Sequence, residues 1–410
     1  MSSRTIAVIG SGPAGLAAGF AAATAGCRVM ILEQRPAPGA KLLASGGGKC
    51  NVTNTLDMEH FARAFGRQWR FMLPALQNFH GDTLLDFFAA HQVKLAAADG
   101  FHYFPESGSS RDVLNMFLRL IAGLGGEIRC NTHVKKLLIS DQQVHGVCCA
   151  DGSKIAADAV IIATGGKSFP ALGGNDSGYD LARCAGHTVT ELFPAMTGIH
   201  TAETWVHECA GIALPDCIAR IDLPAYRKQP QRGELLFTHH GFSAFAILDL
   251  AETVARLLAK QPAVPLRINF TPEISREMWQ QTFAGWKKNH GIKKVQTLLA
   301  EIFPRKLAAA LLNDPDVTAA RWKSADAETL LNNITDHPFT ITATDSWDRA
   351  MVTAGGVALK HIDPDSLESR LTSGLFFAGE ILDLTGPCGG YNITWALASG
   401  MLAGANAGQR

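Results

Sequence analysis

The chain opens on an unbroken apolar run, Thr5-Ile6-Ala7-Val8-Ile9-Gly10, without the alternation of a half-exposed strand. Such a run reads as a strand buried on both faces. Pro13 to Ala25 is alanine-rich and predicts a helix ended by Gly26; Cys27-Arg28-Val29-Met30-Ile31-Leu32 is a second buried strand. Strand, helix and strand in about 30 residues make a βαβ unit, the start of a parallel sheet. Helical spacing returns at Asp82 to His91 and Ser110 to Leu124. Glu127 to Ser140 and Gln143 to Ala150 alternate like two antiparallel strands, and Ala157 to Thr164 is another buried strand closed by Gly165-Gly166.

The pattern changes near residue 193. Residues 193 to 270 hold short strand-like segments broken by Pro194, Pro215, Pro224, Pro230, Pro262 and Pro265, whereas 273 to 336 have helical spacing. Leu375 to Ala378 then returns to a buried strand, and Asn392 to Ala405 makes a helix of small residues. An α/β domain built from both chain ends and interrupted by an insertion accounts for this order.

Composition narrows the function. The 410 residues are 47% hydrophobic and 18% charged, a folded globular chain with room for two domains. Lys plus Arg equals Asp plus Glu at 37 each, so no long-range field draws in nucleic acid or an anionic membrane, and a small molecule is the expected partner. The N-terminus is neither a signal peptide nor an anchor, and no later apolar stretch is long enough to span a bilayer, so a cytoplasmic location is expected. Nine cysteines, an odd number with no C-x-x-C, fit reduced thiols and no metal site.

Gly10-Ser11-Gly12-Pro13-Ala14-Gly15 follows a strand and opens a helix, as a dinucleotide fingerprint must. Gly10 serves the turn, Gly12 lets the backbone approach a pyrophosphate, Gly15 allows close helix packing, and Glu33 at the end of the second strand accepts from a ribose hydroxyl. The spacing does not separate FAD from NAD. The far end adds Gly374-Leu375-Phe376-Phe377-Ala378-Gly379-Glu380, a strand ending in Gly-acid, then Thr385-Gly386-Pro387-Cys388-Gly389-Gly390-Tyr391-Asn392 and a helix. A helix start so placed stabilises negative charge on a reduced flavin, which a nicotinamide would not need.

With these segments the chain resembles the BaiN-like or aminoacetone-oxidase-like FAD-dependent oxidoreductases, which belong with two-dinucleotide-binding-type flavoproteins. The match rests on the N-terminal fingerprint, on Gly39 through Asn54 with its Ser45-Gly46-Gly47-Gly48-Lys49-Cys50-Asn51 core, on Ala163-Thr164-Gly165-Gly166 and the run to Tyr179, and on Thr353-Ala354-Gly355-Gly356-Val357 through Asn392. The resemblance implies a Rossmann-like FAD domain over 1–192 and 345–410 and an inserted domain over 193–344, with a small β-barrel in 193–270 and helices in 271–344. Gly233 through Ser243 resembles the family's barrel motif, but Ala244-Phe245 stands where the family continues Gly-Pro.

The resemblance also carries a set of cofactor contacts. Lys41, Ser45, the glycines 46 to 48, Cys50, Asn51 and Asn54 would pass the pyrophosphate and reach the flavin, the glycines by removing β-carbons from the contact surface. Val134, Thr164, Gly165 and Gly166 come from the middle of the domain, and Gly379, Glu380, Gly389, Gly390, Tyr391, Asn392 and Ile393 from its end. A dithiol relay at Cys50 is not expected, because no second cysteine lies before Cys130. His239 and His240 are the evident pair for proton transfer, although neighbours in an extended segment face opposite ways and a structural or solvent role competes. Phe101 through Ser107 reads as packing.

The expectation is hydride transfer between flavin N5 and a small organic substrate or NAD(P)H. The nicotinamide would dock transiently, since Gly173-Gly174-Asn175-Asp176-Ser177-Gly178 has the wrong spacing for a second dinucleotide unit. Two alternatives stay open: a flavin-binding redox sensor or scaffold, and a tRNA-modifying flavoprotein, which needs a basic surface this charge balance lacks. Substrate, electron donor and oligomeric state are not encoded legibly.

Overall fold

A computed structural model describes residues 3–409. Two compact units divide the chain, one made of residues up to Phe193 and from Val352 onward, the other of Pro194–Met351.

The first unit is built on a five-stranded parallel sheet: β1 (Thr5–Ile9), β2 (Arg28–Leu32), β3 (Glu127–Arg129), β4 (Ala159–Ile162) and β5 (Leu375–Phe377), in the order β5-β4-β1-β2-β3. Ile6, Ala7, Val8 and Val160, Ile161, Ile162 are wholly buried, which is why these runs show no alternation. Helix α1 (Pro13–Thr24) and the last helix, α2 (Tyr391–Gln409), pack through small residues. A β-carbon on Gly400 would sit 2.9 Å from Ala17 Cβ, and one on Gly404 2.9 Å from Ala18 Cα, so the glycines set how near the two axes run.

The segment Glu127 to Ser140 departs from the single antiparallel strand expected of it. Glu127–Arg129 joins the parallel sheet beside β2, and after a turn through Asn131 (φ +53°) Val134–Ser140 pairs antiparallel with Gln143–Cys149. Alternation reports which face is buried and is silent about the neighbouring strand.

The second unit holds a closed antiparallel barrel of six strands, in the order Ile199–Thr201, Gly241–Ser243, Gln231–Phe237, Ala213–Ile221, Val264–Asn269, His337–Thr344. The last of these lies in the stretch expected to be helical; it alternates, with Phe339 and Ile341 inside and Pro338 and Thr340 outside, and its pairing with Ile199–Thr201 closes the barrel. Phe237, Phe242 and Phe339 meet edge to face in the interior, Phe242 and Phe339 at 4.7 Å. Helices Arg276–Asn289 and Ser324–Thr335 add to this unit's core, the first capped by Ser275 and burying Trp279, Phe283 and Trp286. Ala244 takes φ +74°, ψ −177°, a region that glycine alone occupies without strain. The family's glycine at this place is thus a conformational requirement that the present chain meets with alanine. Among the described residues no helix is long and apolar enough to cross a membrane.

Candidate functional site

The fingerprint folds as a strand, a tight loop and a helix start. Gly10 takes φ +100° and donates its N–H to Leu32 O at 2.8 Å; a β-carbon there would sit 2.5 Å from Ala163 O. A β-carbon on Gly15 would run into the Gly10 carbonyl. Gly12 is different: its β-carbon would meet nothing within 4 Å, and it caps α1 with no side chain on the first-turn N–H groups. Two glycines are therefore needed by the protein's own packing, while the third leaves open space before an uncapped helix start, the arrangement that binds phosphate. Pro13 and Ala14 form the first turn. Glu33, buried at the end of β2, accepts from Ser11 N–H at 3.1 Å, from the Ser11 hydroxyl, and from Arg35 N–H at 2.8 Å. Thr132 N–H donates to Glu33 O at 2.8 Å, which brings the chain that leads to buried Val134 alongside.

A second group gathers around Glu380. Lys41 Nζ donates to Glu380 Oε2 at 3.0 Å and to Ser168 Oγ at 2.9 Å; the Ser168 hydroxyl and Thr353 N–H donate to Oε1 at 3.2 and 2.8 Å. A β-carbon on Gly166 would lie 2.6 Å from Glu380 Oε1 and one on Gly165 3.8 Å from Oε2, so this glycine pair admits the carboxylate. A β-carbon on Gly379 would lie 2.7 Å from Ala14 Cβ, joining this group to the start of α1. Neither Ser168 nor Thr353 stands out in the sequence beyond lying in a family-matching block; their place beside Glu380 is set by the fold. Thr164 lies close to the Gly178 backbone at the next helix.

The glycine run forms a left-handed turn: Gly46, Gly47, Gly48 and Cys50 take φ +56°, +65°, +89° and +62°. Ser45 O accepts from Cys50 N–H at 2.9 Å, closing the turn. A β-carbon on Gly46 would sit 2.8 Å from Asn51 N, whereas one on Gly47 would meet nothing, so the outer face of the turn is bare backbone. Cys50 is completely buried, and burial pushes its thiol up to about 11, which makes it a packing group rather than a nucleophile.

Asn51 and Asn54 bind the loop that leads into α2. Asn54 Nδ2 donates to Gly389 O at 2.9 Å, and Asn51, with its amide oxygen toward Gly390 N–H, accepts from it at 3.2 Å. Thr394 Oγ donates to Val52 O at 2.9 Å. A β-carbon on Gly390 would come within 2.7 Å of Thr53 backbone. Asn392 folds back on Gly386, accepting from its N–H and donating to its carbonyl, both at 2.9 Å, and Tyr391 stacks on Phe61 at 4.9 Å; Ile393, next in the first turn, is half-buried. The two glycine loops, more than 330 residues apart in sequence, are thus held together by side-chain amides.

In the barrel unit, His239 and His240 occupy the turn between Gln231–Phe237 and Gly241–Ser243, both exposed. The His240 ring lies 5.1 Å from that of His200, whose Nε2 is 2.8 Å from Asp345 Oδ1. No group of three or more metal-ligating side chains converges among the described residues.

The model of the HI0933-like protein Rossmann domain matches residues 4–406 of the chain. The chain belongs to the HI0933-like family. A 3-dehydro-bile acid delta(4,6)-reductase of Clostridium scindens is 33% identical over 99% of both chains. A ribosomal RNA dihydrouridine synthase of Escherichia coli is 28% identical over 96% of this chain and 95% of its own. Among solved structures, a 3-ketosteroid delta1-dehydrogenase from Sterolibacterium denitrificans matches with a TM-score of 0.54 at 12% identity, covering 99% of this chain and 100% of that one, a likeness of fold. This member of the HI0933-like family is an FAD-dependent oxidoreductase. The open helix start at Gly12, bounded by two glycines that cannot carry a side chain, fits the FAD that the family implies.

Proposed function

We propose that the enzyme reduces a carbon–carbon double bond conjugated to a carbonyl, with bound FAD as hydride carrier and NAD(P)H as a transient donor. The observation that carries the reading is the pairing of an uncapped, unobstructed helix start at Gly12 with a second glycine loop, Gly46–Gly48, whose following residues Asn51 and Asn54 bind Gly390 and Gly389. The relatives support the substrate class. One is named for reducing a bile acid at Δ4,6 and another for making dihydrouridine, in which the reduced C5–C6 bond of uridine is conjugated to its C4 carbonyl. The two names share one reaction on different frames. The balanced charge favours a small conjugated ketone over ribosomal RNA for this chain.

When bound, the flavin supplies the hydride. The protein's part begins with α1, whose unpaired N–H groups at Gly12 and Ala14 would receive the pyrophosphate, with Pro13 setting the first turn and Gly10 and Gly15 holding the loop in shape. Glu33 would accept from a ribose hydroxyl, with Val134 on the segment beside it, and Glu380, steadied by Lys41 and Thr353 next to Gly165 and Gly166, would, with Thr164, hold the linking chain of the cofactor. Gly46 to Gly48 and the entry of α2 from Gly389 to Ile393 would line the ring, where backbone N–H groups and the helix dipole would favour negative charge. Asn51 and Asn54 fix those loops relative to each other, and Ser45 closes the first by accepting from Cys50 N–H.

The test is an anaerobic two-stage assay. The purified protein should carry FAD and bleach with NADH or NADPH, and a 3-oxo-4-ene steroid should restore the yellow colour as its double bond is consumed. Reoxidation by uridine-containing ribosomal RNA alone would move the substrate to RNA. Reoxidation by neither, with bleaching intact, would refute the conjugated-carbonyl reading.

A further inference from the structure

The hairpin read as packing holds an oriented acid–imidazole pair. Strand His102–Pro105 runs antiparallel to Thr53–Asn54 and sets His102 opposite Asn54. Asp99 Oδ2 lies 2.7 Å from His102 Nδ1, while Oδ1 accepts from the N–H groups of His102 and Phe101 at 2.7 and 2.9 Å. These bonds, the one to the His102 ring first, hold the Asp99 carboxyl well below its usual range, so it is an anion at any physiological pH. With Nδ1 directed at Asp99, the far side of the ring faces the Gly389–Gly390 loop: a β-carbon on Gly389 would lie 3.2 Å from Nε2. Phe101 and Phe104 flank the ring, with centroids at 4.8 and 6.4 Å. The His102 side chain keeps 25% of its exposure and so exchanges protons with water. In the loop that the ring faces, the titratable residues nearest Gly389 in sequence are Cys388 and, after Gly390, Tyr391, whose Cε2 would lie 3.5 Å from the same β-carbon.

An anchored carboxylate, an imidazole aimed at Gly389, and the start of a 19-residue helix thus converge on the loop that Asn54 and Asn51 fix from the other side. The helix start and, once protonated, the imidazole favour negative charge placed beside that loop, while the carboxylate favours the protonated imidazole. We propose that His102, backed by Asp99, takes up a proton from water when a flavin at this site is reduced by a hydride donor, so that the negative charge left on the ring is met by an imidazolium. The proposal rests on the flavin placement given under Proposed function. The count closes: a hydride brings two electrons and one proton to the ring and leaves it with one negative charge; the second proton resides on His102, and Asp99 balances that cation. Reduction strengthens proton binding by His102, and by reciprocity the protonated ring raises the flavin's potential.

Spectroelectrochemical titration of the FAD-loaded full chain over about pH 6 to 9 tests this without any substrate. One proton per two electrons shifts the midpoint by tenfold in equilibrium constant per pH unit, about 30 mV; two protons give about 59 mV. The wild type should fall by the two-proton slope across a window in which the reduced spectrum stays that of the anionic ring, placing the second proton on the protein. His102→Asn should retain FAD and fall by the one-proton slope in that window. Asp99→Asn should keep the steep slope but move the window to lower pH, a readout that stands even if the His102 variant loses its flavin. A wild-type slope in His102→Asn, a one-proton slope in the wild type, or an unmoved window in Asp99→Asn overturns the proposal. FAD that binds and titrates as expected in a protein that reduces no conjugated ketone removes the substrate reading alone; a wild type that takes no FAD removes both.

Discussion

Gly12→Ala separates what the fingerprint does for the fold from what it does for the cofactor. Gly12 lies at φ −73°, ψ −176°, extended backbone open to any residue, and its β-carbon meets no protein atom within 4 Å. For the protein alone the change is a glycine-to-alanine replacement at a helix N-cap, costing about 0.5–1 kcal/mol. For the cofactor, the methyl group stands in front of the N–H groups that would receive the pyrophosphate. Each hydrogen bond to a charged group contributes about 1.5–3 kcal/mol, and the helix dipole adds about 0.3–1 kcal/mol. Displacing a phosphate from two such donors therefore removes about 3 kcal/mol or more, at least a hundredfold in FAD affinity at about 1.4 kcal/mol per tenfold. Gly10→Ala is the contrasting control: at φ +100°, with Ala163 O at 2.5 Å from the new carbon, it should lower stability and FAD binding together. The assay is fluorescence titration of flavin-stripped protein with FAD, beside denaturant melts of the same apo preparations. A Gly12→Ala protein that binds FAD within about threefold of wild type, with unchanged melts, would refute the placement of the pyrophosphate.

Three further outcomes follow from named contacts. Ala244→Gly should stabilise the barrel unit by about 1 kcal/mol, since it relieves a conformation costing about 1–3 kcal/mol in a residue with a side chain; an unchanged or lower denaturation midpoint counts against strain at φ +74°. Iodoacetamide near pH 8 should label exposed Cys184 and leave Cys50 unmodified, because burial holds its thiol up to about 11 and thiolate is scarce; equal labelling by mass spectrometry would contradict this. His187 is buried against Ser369 Oγ at 2.8 Å, and burial, then the His361 charge, push its ring down to about 4. The unfolded chain, with its ring near 6.5, takes the proton first as pH falls, so stability present at neutral pH is lost from about 6.5 downward toward 4. His187→Gln should remove about one proton from that slope, and an identical slope in the variant would exclude His187 as its source.

Much of the redox domain was legible because its signals are local. The buried strands announce themselves by length and apolarity, and Gly10 and Gly15 are needed by atoms within a few residues or by the adjoining strand. Glu33 could be named because a βαβ unit fixes where the second strand ends. The barrel's closing strand was harder, since its partner, Ile199–Thr201, lies some 140 residues earlier and nothing in His337–Thr344 says so. The family's glycine before residue 245 was visible as a departure, but its reason, a backbone region closed to side chains, belongs to the folded loop.

By itself, then, the sequence determined the elements of the parallel sheet, the dinucleotide fingerprint and the need for bare backbone at 46–48, because each depends on steric rules that operate within a turn or a strand. Only the tertiary structure decided that Lys41, Ser168 and Thr353 gather on Glu380, that Asn51 and Asn54 bind Gly390 and Gly389, and that Asp99 aims His102 at the same loop. Hydrogen bonds between such distant segments exist only once the sheet has brought both chain ends together, and no local pattern in either segment encodes the other's position.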